Sequence, residues 1–293
     1  MKELGKIVIY LLAVVVLGAL IAPPLFAVGQ NIGALKRFEF QQFFNRSVLI
    51  AAVVLLFPLI RWLKLPGWGA LGIEPDTRRW HHLAGGFLAA FLCIMVLGAL
   101  LLQMGVYRMK GELPWGALGK IALTATVVSV IEELLFRGAL LGLMRKALVW
   151  PWALLLNSGL FAIVHFLEPR EGVIGPGDVR WWSGFRLLGE AFWQFQEPVL
   201  LLAGFSTLTL VGWILGWVTL KTRSLWVAIG LHAGWVFATM GFSKFTKRVI
   251  KANETLPWFG ADLSVGLGAL ITVGITGLIV WLWLRRKKEA AQT

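Results

Sequence analysis

Residues 121–144 read IALTATVVSVIEELLFRGALLGLM, an apolar run of membrane-crossing length with three charges, Glu132, Glu133 and Arg137, inside six residues. A bilayer core about 30 Å thick takes about 20 residues of helix to cross. A charged side chain at its centre costs roughly 2.5–3.5 kcal/mol on insertion scales. Three such charges persist only where they face protein and water rather than acyl chains. The reading of this stretch decides two things together: the chain forms a membrane bundle, and the bundle encloses a polar site.

The rest of the chain agrees. Of 293 residues, 58% are hydrophobic and only 15% charged, and the mean hydropathy is +0.77. A soluble domain carries about 25% charged residues. Sixteen Trp and nineteen Phe against two Tyr suit a bundle with indole rings at headgroup level. The net charge of +13 resides in short loops and the tail, with Lys2, Lys6, Arg61, Lys64, Arg78, Arg79, Arg145, Lys146, Lys221, Arg223 and Arg285–Lys288 on one side. Such residues set topology and attract anionic lipid. No basic run is interleaved with stacking aromatics in a soluble segment, so nucleic acid is not an expected partner. The lone Cys93 sits in an apolar run and reads as a small core hydrophobe.

Apolar stretches long enough to span fall at 7–28, 44–63, 82–103, 118–144, 150–167, 198–219, 224–243 and 263–284. The expected fold is therefore all-α, a polytopic membrane helix bundle of about eight transmembrane helices, with residues 1–293 as one membrane domain. Pro23–Pro24 is expected to break or kink the first span. The loop 168–197 ends in DVRWWSGFRLLGEAFWQFQE, in which Trp181, Trp182, Phe185, Phe192, Trp193 and Phe195 alternate with charges. It reads as an amphipathic helix in the interface plane, either a brace or an entry ramp for a membrane-bound substrate. An even number of spans puts both termini on one side. The opposite side has nearly as many basic residues, but part of them fall in the long loop 168–197, which counts for less. Both termini are therefore expected in the cytoplasm, in a multi-pass protein expected in a cell membrane of the prokaryotic inner-membrane kind.

On a helix, Glu133 and Arg137 stack at i, i+4 with the acid first, the favourable order for an ion pair. Glu132 projects about 100° away and is not expected to share a site with Glu133. It is left free as a candidate general base. Phe161-Ala-Ile-Val-His165 puts a ring and an imidazole on one face of the next span, and His232 lies inside its own span between Gly230 and Gly234. Those glycines permit close approach of a neighbouring helix. His81 and His82 follow Arg78 and Arg79 and read as interfacial residues. One carboxylate and two imidazoles from separate helices can activate water and stabilise an oxyanion, the needs of amide hydrolysis.

These residues resemble a known family. Glu132-Glu133-Leu134-Leu135-Phe136-Arg137-Gly138 is similar to the EExxxR motif of the type II CAAX prenyl endopeptidase and bacteriocin-processing (Abi, CPBP) family, the Ras-converting kind. Phe161–His165 matches its FxxxH motif, and His232 its third. The resemblance covers about residues 118–243. It implies an eight-helix bundle in which Glu132 and His165 activate water, His232 helps hold the oxyanion, and Glu133, Arg137 and Phe161 support them. It implies an intramembrane endopeptidase with no cofactor and no metal, acting on a peptide or protein substrate at the bilayer. The chain departs from the family at Val236, where an Asn or similar polar residue would donate to the oxyanion. Trp235 or a backbone N–H can stand in.

Three other readings stay open on the residues alone. A zinc peptidase would use Glu132, His165 and His232 as ligands, although HExxH is missing. A non-catalytic scaffold or regulator would explain Val236. A transporter would use the acids as a proton relay, although the duplicated halves of many carriers are missing. The substrate and the oligomeric state are not written in the sequence.

Overall fold

The computed structural model describes residues 2–62, 71–73, 77–167, 169–193 and 198–289. Lys64 and Phe195 lie outside them. The long helices are α1 (Lys2–Gly29), α2 (Phe40–Trp62), α3 (Arg79–Gln103), α6 (Trp150–Phe166), α8 (Pro198–Thr222), α9 (Trp226–Phe245) and α11 (Leu267–Glu289). Between α3 and α6 the chain forms α4 (Leu118–Glu133), a π-helical segment (Leu134–Leu140) and α5 (Leu141–Ala147). A three-residue strand, β1 (Tyr107–Met109), pairs antiparallel with β2 (Thr246–Arg248). Two short helices, α7 (Ser183–Glu190) and α10 (Ala252–Thr255), complete the order.

These segments are helical because, in lipid, each backbone N–H and C=O must find its partner within the chain. Many helix faces remain apolar where they are exposed, as at Val8, Leu12 and Val16 on α1 and Leu88, Leu92 and Val96 on α3. Hydroxyl groups inside the bundle turn back on their own helices: Ser158 donates to the Leu154 carbonyl at 2.7 Å and Thr276 to the Thr272 carbonyl at 2.9 Å. This is the local bond by which Ser and Thr are accommodated in an apolar helix.

Among the described residues six helices are long and apolar enough to cross a membrane. They answer to six of the eight expected spans, and the chain is a multi-pass membrane protein. The other two candidates fare differently. Trp150–Phe166 is apolar but short, and the stretch from Leu118 to Ala147 is divided by the π segment. The helix α1 runs through Pro23 and Pro24 without a break. Of the amphipathic helix expected over 178–197, residues 194–197 lie outside the described residues, and the rest makes an eight-residue helix, α7, after a turn in which the Ser183 hydroxyl accepts the Arg180 N–H at 2.8 Å. Gly184 and Gly189, weak helix formers, lie within its short span. Its flanking Trp181, Trp182 and Phe192 are exposed, as an interfacial segment requires.

Two halves meet at the centre. One core joins α3, α8, α9 and α11 through Ile94, Leu97, Leu215, Leu231, Phe242 and Val273. The other joins α1, α2, the π segment, α5 and α6 through Tyr10, Ala51, Phe136, Leu143, Ala153 and Phe161. The α3/α9 contact is at backbone distance. A Cβ at Gly230 or Gly234 would run into the Leu83 and Phe87 carbonyls, and one at Gly86 would stand 2.6 Å from the Val227 carbonyl. The β ribbon ties the same two helices at one end, where Arg248 bonds the Tyr107 hydroxyl at 3.0 Å and the Ile250 carbonyl at 2.6 Å. The helix carrying His232 is thus fixed along its length.

Candidate active site

Glu133 and Arg137 form the expected i, i+4 pair, Nη1 to Oε1 2.9 Å, with both side chains fully enclosed. Arg137 also reaches the Gly212 carbonyl at 3.4 Å and lies 4.4 Å from the centroid of the Phe161 ring. A guanidinium over an aromatic face in a dry site gains on the order of 2 kcal/mol. Charge pairing and ring contact together make a buried Arg tolerable here.

His232 comes from α9, on the other half of the bundle. Its Nδ1 lies 2.8 Å from Glu133 Oε1 and its Nε2 lies 3.9 Å from Glu132 Oε2. His165, in the last turn of α6, brings Nε2 to 3.6 Å from Glu132 Oε2 and holds its Nδ1 2.8 Å from the Phe161 carbonyl. The Phe161 ring lies against His165, tilted by 45° at 4.3 Å between centroids, and meets His232 edge-on at 6.0 Å. The structure therefore brings Glu132, Glu133, Arg137, Phe161, His165 and His232 together. One sequence expectation is corrected. The two adjacent acids do share a site, because a single imidazole reaches both, Glu133 with one nitrogen and Glu132 with the other. Divergent Cβ directions do not separate side chains as long as Glu when a third residue spans the gap.

The partners fix the imidazole tautomers. A carboxylate and a peptide carbonyl accept only, so Nδ1–H of His232 donates to Glu133 and Nδ1–H of His165 donates to Phe161. Each ring then turns its Nε2 toward Glu132. Glu132 Oε2 is itself buried and has no hydrogen-bond partner. Glu132 Oε2 and the two Nε2 atoms converge at 3.6 and 3.9 Å, separations that one water can bridge.

Access is graded. Side-chain exposure rises from 0% at Glu133 and Arg137 through 6% at His232 and 17% at Glu132 to 30% at His165. The site opens on the His165 side. There Gln41 of α2 donates to the Pro169 carbonyl and holds the chain leaving α6. An apolar groove elsewhere, lined by Leu20, Pro23, Pro24, Pro176 and Trp181, includes none of these residues.

Among the described residues no group of three or more His, Cys, Asp or Glu side chains has the arrangement of a metal site. Val236 is partly exposed and offers no donor, while the indole Nε1 of neighbouring Trp235 is buried without a partner. His82 is partly buried, and both His81 and His82 lie edge-on to Trp283, away from the acids. Cys93 is half-buried. Sequence reasoning passed over Asn157, fully buried on α6, whose Nδ2 donates to the Phe136 carbonyl at 3.0 Å. A polar amide in the middle of an apolar run was the available signal.

Fold and site define a multi-pass membrane protein with an acid–imidazole cluster enclosed among its helices. The family model described as Rce1-like, type II CAAX prenyl endopeptidase Rce1-like, matches residues 114–238. The resemblance carried by the three motifs is borne out over that segment, which takes in every candidate site residue. At family level the match is to intramembrane endopeptidases of the CAAX protease kind. No curated protein and no solved structure matches the chain.

Proposed function

We propose that the protein is a glutamate-dependent intramembrane endopeptidase in which Glu132 and His165 activate the attacking water. The observation that carries this reading is the convergence of Glu132 Oε2 with two Nε2 atoms, at 3.6 Å from His165 and 3.9 Å from His232. Water donating to Glu132 and His165 is oriented and polarised by both. Glu132 takes one proton as the water oxygen bonds to the scissile carbonyl carbon, whose π electrons move to oxygen. Collapse of that tetrahedral oxyanion breaks the C–N bond, and Glu132 returns the proton to the leaving amine.

Glu133 and Arg137 act one step back. Their pair orients His232 through Nδ1, as the Asp of a catalytic triad orients its His. In the protonated ring that this role requires from the outset, the Nε2–H of His232 donates to the oxyanion and Glu133 stabilises the cation. The Trp235 indole N–H is available as the further donor that Val236 cannot supply. The substrate is a peptide or protein held at the membrane, entering on the His165 side past the interfacial α7 segment. The reading puts both termini in the cytoplasm of a cell-membrane protein, supported by the excess of basic residues in the short loops on that side.

The test uses the purified protein in nanodiscs with isoprenylated and unmodified Cys peptides. Cleavage is expected, with turnover unchanged by dialysis against a chelator and lowered about 10²–10⁴-fold in His165→Ala, the range for losing a positioned acid–base group. Cleavage that stops on chelation and returns with zinc replaces this reading with the metallopeptidase one. Cellular function retained in His165→Ala favours the scaffold.

A further inference from the structure

Asn157 is the residue the site's chemistry leaves unused, and it sits on the one irregular turn of the bundle. The chain between Glu133 and Leu141 is π-helical: the Leu141 N–H bonds the Phe136 carbonyl five residues back, where an α-helix would use Leu140. All residues from Leu135 to Leu141 are buried, so the wide turn is enclosed on every side. A π turn packs its own backbone less well than an α turn and is found mostly at functional sites. Something outside it has to favour it.

Here the Phe136 carbonyl takes a second donor, Asn157 Nδ2 at 3.0 Å, from another helix. The other end of that amide, Oδ1, is buried with no partner. An amide with only its N–H used is costly for stability, because an orphaned buried acceptor loses its hydration without return. Leucine would have nearly the same shape without that cost. A purely structural account therefore favours leucine at this position.

We infer that Asn157 is a positioning residue: its amide directs the Phe136 carbonyl outward, holds the π turn, and so keeps Glu133 and Arg137 in the register at which Glu133 meets His232. The turn begins directly after Glu133 and contains Arg137, so relaxing it to α geometry rotates the guanidinium relative to the acid. The His232 bond at 2.8 Å then loses its fixed carboxylate. This inference rests on the proposed site but not on its activity.

The experiment reads the Nδ1–H proton of His232 by NMR in nitrogen-15 histidine-labelled protein, assigned by its disappearance in His232→Gln. In the parent this proton, bonded to a carboxylate, gives a downfield resonance protected from exchange. Asn157→Leu is expected to abolish that resonance while unfolding at the parent temperature or above it, and Asn157→Gln, which keeps the amide donor, to restore it at least in part. If Asn157→Leu does not give folded protein, Asn157→Ala removes the donor without bulk and is read in the same way. A folded Leu or Ala variant with the His232 resonance unchanged overturns the inference, as does loss of the resonance only in step with global unfolding. A parent that cleaves no peptide yet shows the expected loss in Asn157→Leu overturns the peptidase reading and leaves this one standing.

Discussion

Glu132→Gln is expected to leave the protein folded and lower peptide turnover by about 10²–10⁴-fold, the contribution of a positioned general base. The substitution keeps the side chain's shape and removes only its ability to take the water's proton. Stability should change little, because Glu132 Oε2 has no hydrogen bond to lose and the carboxylate faces two ring nitrogens at 3.6 and 3.9 Å. A loss of turnover without a loss of unfolding free energy separates chemistry from architecture. Parallel losses in both would assign Glu132 to the fold instead. Steady-state cleavage and denaturant unfolding on one preparation decide between them.

Arg137→Leu should have the opposite signature. It leaves Glu133 enclosed with no cation, and breaking a buried pair by removing one partner costs about 3–5 kcal/mol. The Phe161 ring loses the guanidinium lying 4.4 Å from its centroid, and the Gly212 carbonyl loses its donor. Arg137→Lys restores a charge but not a planar group that can stack and bond at once, so it should recover only part of the stability. Activity should fall in both variants through the Glu133–His232 bond. The check is equilibrium unfolding in detergent or bicelles, with a loss below about 1 kcal/mol, the range of an exposed pair, counting against an interior ion pair.

What was legible in the sequence follows the range of each interaction. The Glu133–Arg137 bond spans four residues on one helix, and spacing alone gave it. Phe161 and His165 share a face for the same reason. Gly230 and Gly234 announced a close helix contact, and the α3 backbone fills the space they leave. The bond between His232 and Glu133 joins residues 99 apart and depends on how the two halves dock, which no periodicity encodes. The π turn was hidden for a different reason. Residues 134–140 have the composition of any apolar helix, and the donor that favours i→i+5 pairing is an Asn on another helix. Helical divergence alone separated Glu132 from Glu133, and only the docking of His232 between them brings the two acids into one site. The span count diverged where the chain departs from long regular helices, at that turn and at the 17-residue α6.

The departure at Val236 is also clearer in three dimensions. The position lacks a donor, yet one residue earlier on the same helix an indole N–H is buried with nothing to bond. Leaving such a group unpaired is unfavourable by about 1–3 kcal/mol.

The most direct test is an experimental structure in lipid at a resolution that shows ordered water and the Glu132 side chain. The account predicts a water within about 2.6–3.2 Å of both Glu132 Oε2 and His165 Nε2, with His232 Nδ1 on Glu133. A Glu132 carboxyl turned toward acyl chains, or separated from His165 by more than one water can bridge, would contradict it.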